Sequence, residues 1–457
     1  MDPASAVPQL TQVQTYYASG VTQSLAWRKQ QLNTLKKALI QYEEKINEAL
    51  YTDLKKNREE VWITELGYTI AEINFALKNL HRWMGRERVA TNLFNFPSKS
   101  YILPEPLGVV LIIGPWNYPL QLVLAPLVGA IAAGNCAVLK PSEVAPATSA
   151  VLQELIEAFF DPAYISVVQG DGATVIPLMM NSFRFDHVFY TGSTAVGKII
   201  YEMAAKKLIP VTLELGGKSP CIIEKDADIK VAAKRIALIK FSNAGQMCVA
   251  PDYLLVHADI REAFLSELKK RIEEYYVTDD YHSGKLVNEK AFDRLAGYLA
   301  QGEVIYGGKA NRDTLSMEPT LLQNISADAP MLKEEIFGPL LPVLTWQQDD
   351  EVYRIIAQNN NPLALYVFTE SSARADKWTR TIPFGGGCIN HVSLHLTNYH
   401  LPFGGRGNSG LGAYHGKFSF DTFSHKKGIL NSPTWFDPAI KYPPFKGKIK
   451  LFKKFMG

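Results

Sequence analysis

The chain has 457 residues, 47% of them apolar and 20% charged, with a formal net charge of +3 at neutral pH. These values exclude a disordered or fibrous chain, give no overall charge for gripping nucleic acid, and predict two or three compact units. The four cysteines, Cys136, Cys221, Cys248 and Cys388, lie far apart with neither CxxC spacing nor a disulfide framework, which fits reduced thiols in a cytosol.

The amino terminus, Met1 to Leu10, lacks a basic segment followed by an apolar one, so no secretory signal is expected. Over the first eighty residues Leu32, Leu35, Ala38 and Leu39 recur at helical spacing amid Lys, Glu and Gln, and similar spacing continues through 60–82. These segments read as surface helices. From 84 to 106, with Asn92, Asn95, Pro97 and Pro104, the pattern weakens to extended connections. Between Glu105 and Lys140 no residue is charged, and on hydropathy alone this stretch resembles a membrane span. Pro115, Asn117, Pro119, Gln121, Pro126 and Asn135 break it, and lipid leaves backbone groups freed at such breaks unsatisfied. The better reading is a buried βαβ unit: strand 107–113, a turn at 114–118, a helix to about 133, and strand 136–140.

Strands at 164–169, 187–191 and 209–214 continue the alternation with helices, which predicts a parallel α/β sheet. A second alternating series follows, with 220–223 and 252–256 extended, 228–243 and 259–275 helical, and strands near 320 and at 364–368. Segment 384–412 is rich in glycine, which permits tight turns near a site.

Two residues stand out chemically. Cys248 follows Asn243, Gly245 and Gln246 and precedes Pro251, a polar, glycine-bearing loop able to expose a thiol, whereas the other three cysteines read as core. Glu214 ends the strand 210–215 beside Gly216 and Gly217; it is a candidate base, and by composition alone a solvated carboxylate is the better reading. Asn117, between two prolines, reads equally as a turn residue or as an amide donor to a developing oxyanion. Strand 187–191 runs through Gly192 to Gly197 into a helix, a place for a phosphate or a plain strand-to-helix turn, since the spacing is not GxGxxG. His391, His395 and His400 come nearest to a metal cluster and read instead as polar surface, so no metal is expected.

In order along the chain come Gly114-Pro-Trp-Asn117, Lys140-Pro-Ser-Glu143, Phe189-Tyr-Thr-Gly-Ser193, Leu213-Glu-Leu-Gly-Gly-Lys-Ser-Pro220, Gly245-Gln-Met-Cys248, Glu334-Glu-Ile-Phe-Gly-Pro339 and Pro402-Phe-Gly-Gly405. This series resembles the aldehyde dehydrogenase superfamily over nearly the whole chain. The closing run from Gly407 to His425 and the short amino-terminal region look like its class 3 branch, which includes fatty aldehyde dehydrogenases. The resemblance implies an α/β fold with a Rossmann-like NAD(P)-binding domain at 1–83 and 107–211 and an α/β catalytic domain at 212–395. It further implies small β bridging segments at 84–106 and 396–430, homodimers, and an aldehyde substrate.

By the same resemblance Cys248 attacks the aldehyde, Asn117 and the Cys248 N–H hold the oxyanion, and Glu214 activates the water that releases the acid. Trp116, Lys140, Glu143, Gly192, Ser193, Gly197, Leu215, Glu335 and Phe337 are implied to hold the nucleotide: Lys140 and Glu143 at the adenosine ribose, Gly192, Ser193 and Gly197 at the phosphates, Glu335 and Phe337 at the nicotinamide end. Glu143 favours NAD over NADP, because it repels a 2′-phosphate, while class 3 relatives with this glutamate use either cofactor, so the implied cofactor is NAD or NADP. Relatives that pass the acyl group to coenzyme A generally lack the glutamate at position 214, which points to hydrolysis. The second reading is a catalytically retired copy of the fold acting as a structural or lipid-surface protein.

Residues 431–457 end in a short basic tail rather than a long apolar anchor. On a helical wheel Phe445, Ile449, Phe452 and Met456 share a face away from Lys446, Lys450, Lys453 and Lys454, a pattern suited to an anionic lipid surface or to covering a substrate funnel; a packed or frayed terminus is the alternative. The expectation is a cytoplasmic protein with peripheral membrane contact through this tail.

Overall fold

The computed structural model describes residues 6–277 and 284–456, without the side chains of residues 6–9, 455 and 456. The leader reading at residues 1–10 and the place of Met456 on the tail helix therefore lie wholly or partly outside the described residues.

The amino-terminal helices are more than a surface layer. Ser24 caps Leu25–Gln41 by accepting from the Trp27 N–H at 3.2 Å, and that helix buries Arg28, Leu32, Leu35, Ala38 and Leu39. It packs on helices Gly67–Trp83 and Gln121–Ala133, so these segments form one side of the first domain's core.

Strands follow in chain order: β1 (Glu87–Val89), β2 (Lys99–Pro106), β3 (Val109–Ile113), β4 (Cys136–Lys140), β5 (Ile165–Val167), β6 (His187–Thr191) and β7 (Val211–Glu214). The second series is β8 (Pro220–Ile223), β9 (Tyr253–His257), β10 (Glu303–Tyr306), β11 (Ala310–Asn311), β12 (Ser316–Met317), β13 (Thr320–Gln323), β14 (Leu340–Trp346), β15 (Ala364–Phe368) and β16 (Gly386–Ile389), and β17 (Gly410–Leu411) and β18 (Ser424–Asn431) close the chain. Every residue of β3, β4 and helix Gln121–Ala133 is buried, which accounts for the long uncharged run. Among the described residues no helix is long and apolar enough to cross a membrane.

The first sheet has the order β17-β7-β6-β3-β4-β5, parallel except for β17. Chain order reverses between β3 and β6. In open α/β sheets such a reversal leaves a crevice beyond the carboxyl ends of the strands, and ligands bind there. The second sheet has the order β10-β13-β14-β9-β8-β15-β16, parallel except for β10. A third sheet, β1-β2-β18, forms an outlying antiparallel arm.

The segment 396–430 divides between two sheets. Gly410 and Leu411 pair with Glu214 and Leu213 on the first sheet, whereas Ser424–Asn431 pairs with β2 in the arm. The glycine-rich run thus returns to brace the strand that carries Glu214, through Leu215 N–H donating to the Ser409 carbonyl at 3.1 Å. After β18 the tail ends in the helix Ile449–Met456, whose Leu451 and Phe452 form an apolar groove with Phe436 and with Leu93, Phe94 and Phe96 of the arm.

Candidate active site

Three strand ends and the loops of Cys248 and Glu335 converge at the crevice. The loop after β3 carries Trp116 and Asn117, the loop after β6 carries Gly192 and Ser193, and β7 ends in Glu214 and Leu215. Cys248 lies in the loop before β9, where Asn243 and Ala244 take left-handed backbone conformations at φ 50° and 53°. Two side chains pin this loop. Gln246 donates to the Asn243 and Lys285 carbonyls at 3.0 and 2.9 Å, and the Tyr366 hydroxyl donates to the Val249 carbonyl at 2.5 Å.

Cys248 and Glu214 stand in the wall between two cavities. One, of about 890 Å³, is apolar and lined by Tyr68, Tyr118, Leu122, Met247, Phe403 and Tyr414 among others. The other, of about 670 Å³, is bounded by Trp116, Asn117, Gly192, Ser193, Glu335 and Phe337. Only a reagent entering from each side brings two molecules against one thiol. The Asn117 amide donates one N–H to the Gln246 carbonyl at 3.0 Å. No protein acceptor meets its second N–H among the described residues.

The solvated reading of Glu214 is overturned: the residue is 3% exposed, and neither carboxyl oxygen has a hydrogen-bond partner among the described residues. Burial with no compensating donor pushes its pKa well above the usual carboxylate range. The Cys248 thiol is pushed up to about 12, first by burial and then by the carboxylates of Glu335 and Glu214. Burial and the charge of Asp252 raise Glu335 to about 8 against the pull of the Gly217 N–H, Lys218 and Arg294. The thiol thus lies beside two carboxyl groups, an environment that a positively charged ring entering the second cavity would relieve.

The residues of that second cavity suit the nicotinamide and phosphate end of a dinucleotide. Ser193 caps helix Thr194–Ala205 and turns its amino terminus, favourable for phosphate, toward the opening. Trp116 and Phe337 face each other edge to face at 5.3 Å, and a Cβ at Gly216 would run into the Glu335 carboxylate, so glycine is required for the close approach. The loop bearing Glu335 is fixed from behind: Lys218, paired with Asp252, donates to the Met331 and Glu334 carbonyls, and Asp252 accepts the Ile336 N–H at 2.8 Å.

Lys140 and Glu143 lie outside this lining, at the end of the neighbouring β4. Lys140 donates to the Pro141 carbonyl at 2.7 Å and to Glu143 at 2.8 Å, while Glu143 also accepts the Gly172 N–H at 2.9 Å. Burial raises the Glu143 pKa, but these donors outweigh it and keep the carboxylate below its ordinary range. Gly197 departs from the expected phosphate turn. It sits inside the helix, where its N–H is spent on the Ser193 carbonyl at 2.9 Å, and a Cβ there would meet Leu215 at 2.6 Å. Its contribution is close helix-to-strand packing. Of the three histidines read as surface, His395 is instead buried, its ring beside Cys388 at 3.5 Å.

The profile described as the aldehyde dehydrogenase family matches residues 17–429. The chain belongs to the aldehyde dehydrogenase family. It is 47% identical to the 4,4'-diaponeurosporen-aldehyde dehydrogenase of Staphylococcus aureus over 448 residues, 96% of each chain. To the dimeric, NADP-preferring aldehyde dehydrogenase of Rattus norvegicus it is 42% identical over 438 residues, 95% of this chain and 96% of that one. The solved substrate-bound state of Staphylococcus aureus AldH superposes with a TM-score of 0.95 at 45% identity, covering 98% of this chain and 99% of that one. The protein is an NAD(P)-dependent aldehyde dehydrogenase, and the retired-fold reading is not favoured.

Residues that sequence reasoning passed over also frame the aldehyde dehydrogenase site. Tyr68 donates to the Leu396 carbonyl at 2.9 Å, and His415 pairs with buried Glu72 at 2.8 Å along the apolar cavity. Lys56, in the turn 55–57 between helices Glu43–Leu54 and Arg58–Val61, and Glu65, in the π-turn Trp62–Leu66, reach the Asn117 loop. Charges on an amphipathic stretch look solvated, so no sequence signal marked them.

Proposed function

We propose that this aldehyde dehydrogenase oxidises medium- and long-chain aliphatic aldehydes, and aromatic ones of similar bulk, to carboxylic acids by hydrolysis of a Cys248 thioester. The observation that carries the reading is the place of Cys248 and Glu214 in a wall shared by an apolar cavity and a nucleotide-shaped one. Cys248 gives up its thiol proton to water and adds as the thiolate to the aldehyde carbon, and as the C=O π bond opens the oxygen takes its developing charge to the Asn117 amide and the Cys248 N–H. The bound nucleotide supplies the acceptor for the hydride that leaves this carbon. Glu214 then takes a proton from water as the water oxygen adds to the thioester, and the Cys248 sulfur leaves with the acid released. A base held in place for water, rather than a channel for an acyl acceptor, makes the enzyme non-acylating. Trp116, Leu215, Gly192, Ser193, Glu335 and Phe337 bound the nicotinamide and phosphate end, with Lys140 and Glu143 at the adenosine ribose. Gly197 serves that set only by letting the helix approach Leu215.

The side chain of Glu143 is 41% exposed and ionised beside the ribose position, which favours NAD over NADP by repelling a 2′-phosphate. The lining of the apolar cavity offers few polar groups, which favours alkyl chains. With each buried methylene contributing about 0.8 kcal/mol at most, kcat/KM with NAD is expected to rise at least about tenfold from acetaldehyde to decanal. Initial rates of NADH formation over a chain-length series, run with NAD and with NADP, measure this; a profile flat in length, or faster with NADP throughout, contradicts it.

The enzyme is proposed to be a homodimer, in line with the dimeric relative, and to touch anionic membrane through its tail. From residue 438 to 456 the chain carries Lys441, Lys446, Lys448, Lys450, Lys453 and Lys454 and no acidic residue, with Phe445, Ile449 and Leu451 exposed. Protein ending at residue 440 is expected to lose co-sedimentation with acidic vesicles that the full chain retains. Equal recovery of the two would end the lipid reading while leaving the catalytic one intact.

A further inference from the structure

The buried ion pair of Lys56 and Glu65 has no catalytic group of its own, yet all its bonds converge on one loop. Both side chains are fully buried, and Lys56 Nζ donates to Glu65 at 2.7 Å. Lys56 also donates to the Asn117 backbone carbonyl at 2.9 Å, with its charge 3.7 Å from the Tyr118 ring centroid. The other oxygen of Glu65 accepts the Leu120 and Gln121 N–H groups at 3.2 and 2.9 Å, at the amino terminus of helix Gln121–Ala133. One pair thus grips the Asn117 loop at its middle and at its end.

The backbone that delivers Glu65 is itself unusual. Trp62–Leu66 is a π-turn within the run from Arg58 to Trp83, closed by the Gly67 N–H donating to the Trp62 carbonyl. A Cβ at Gly67 would lie 2.7 Å from that carbonyl, so glycine lets the wide turn form. Wide turns of this kind cluster at functional sites. From the nucleophile side, Asn243 Nδ2 donates to the same Asn117 carbonyl at 2.9 Å, while the Asn117 amide meets the Gln246 carbonyl. The Asn117 peptide is therefore held between the first helices and the Cys248 loop.

A buried ion pair is a poor way to add stability, because desolvation consumes most of the attraction, and apolar residues of equal volume often serve as well. It is a good way to fix direction. An oxyanion donor acts only when aimed at the charge that develops, and misalignment of about 1 Å costs large factors in rate. We propose that Lys56, held by Glu65, is a positioning residue that sets the aim of the Asn117 amide at the thiohemiacetal oxygen. The inference rests on the assignment of Asn117 as oxyanion donor.

The test replaces the pair by apolar residues, Lys56→Met with Glu65→Leu, and crosses it with Asn117→Ala. The paired variant is expected to melt within about 5 °C of wild type, to bind NAD with a Kd within about twofold, and to lose at least about tenfold in kcat. In the Asn117→Ala background the same pair of changes is expected to alter kcat by less than about twofold, since its effect passes through that amide. Wild-type kcat in the paired variant overturns the proposal, and so does a loss carried in full into the Asn117→Ala background, which marks a general structural role. Should the apolar pair not fold, Glu65→Gln is read in its place, because it keeps an oxygen for the 120–121 amides and loosens only Lys56; the same two comparisons apply. If Asn117→Ala alone proves fully active, the oxyanion assignment falls, and the two failures are thereby told apart.

Discussion

Glu214→Gln is expected to keep a burst of NADH close to one per active site and to lose steady turnover by about 10²–10⁴-fold, the usual worth of a positioned general base. The two halves of the reaction ask different things of the site. Hydride departure needs the Cys248 adduct and the nucleotide; release of the acid needs water made nucleophilic. Glutamine preserves the shape of the wall between the cavities and removes only the group able to take the proton. The raised pKa of Glu214, caused by its burial, sets the direction of the pH dependence of the wild type. Its raised pKa means that the base form is scarce at low pH and grows as pH rises, so turnover limited by release keeps climbing at pH values above those at which an ordinary carboxylate is already ionised. In Glu214→Gln the residual turnover loses that climb. Stopped-flow absorbance of NADH against pH reads both effects, and an unchanged steady rate removes Glu214 from the mechanism.

Asn117→Ala is expected to lower kcat by about 10²–10³-fold, the loss seen when one oxyanion donor is removed. Here the burst itself slows, because the same oxygen carries charge when sulfur adds and again when water adds. KM for aldehyde changes little, since the amide meets a charge that the ground-state carbonyl lacks. The separation from Glu214→Gln is therefore in the phase affected: a slow burst for Asn117, a normal burst with failed release for Glu214. A fast burst in Asn117→Ala would transfer the oxyanion role to the Cys248 N–H alone.

Much of this arrangement is readable from the chain because chemistry sits where periodicity stops. The apolar runs that become β3, β6 and β7 each end in a polar or glycine-bearing turn, and those turns hold Asn117, Ser193 and Glu214. What the residues alone could not give is environment. A glutamate beside two glycines reads as solvated, and its burial follows only once β17 returns some two hundred residues later to lie against β7. Gly197 reads as a phosphate turn by proximity to Gly192, yet the helix has already begun at Thr194 and consumes its N–H. Lys56 and Glu65 are the sharpest case. Read from the chain both look like solvated charges, and only the folded path, through the turn at 55–57 for Lys56 and the π-turn for Glu65, brings them under the Asn117 loop.

The central claim is that Cys248 carries the acyl group and Glu214 discharges it. Intact-mass measurement of Glu214→Gln protein mixed with decanal and NAD tests it most directly, with peptide mapping to find the modified residue. The predicted result is protein carrying one decanoyl group on Cys248, stable over minutes and removed by hydroxylamine, while Cys248→Ala in the same background carries none. Unmodified protein after a full burst of NADH, or a decanoyl group on another residue, would contradict it.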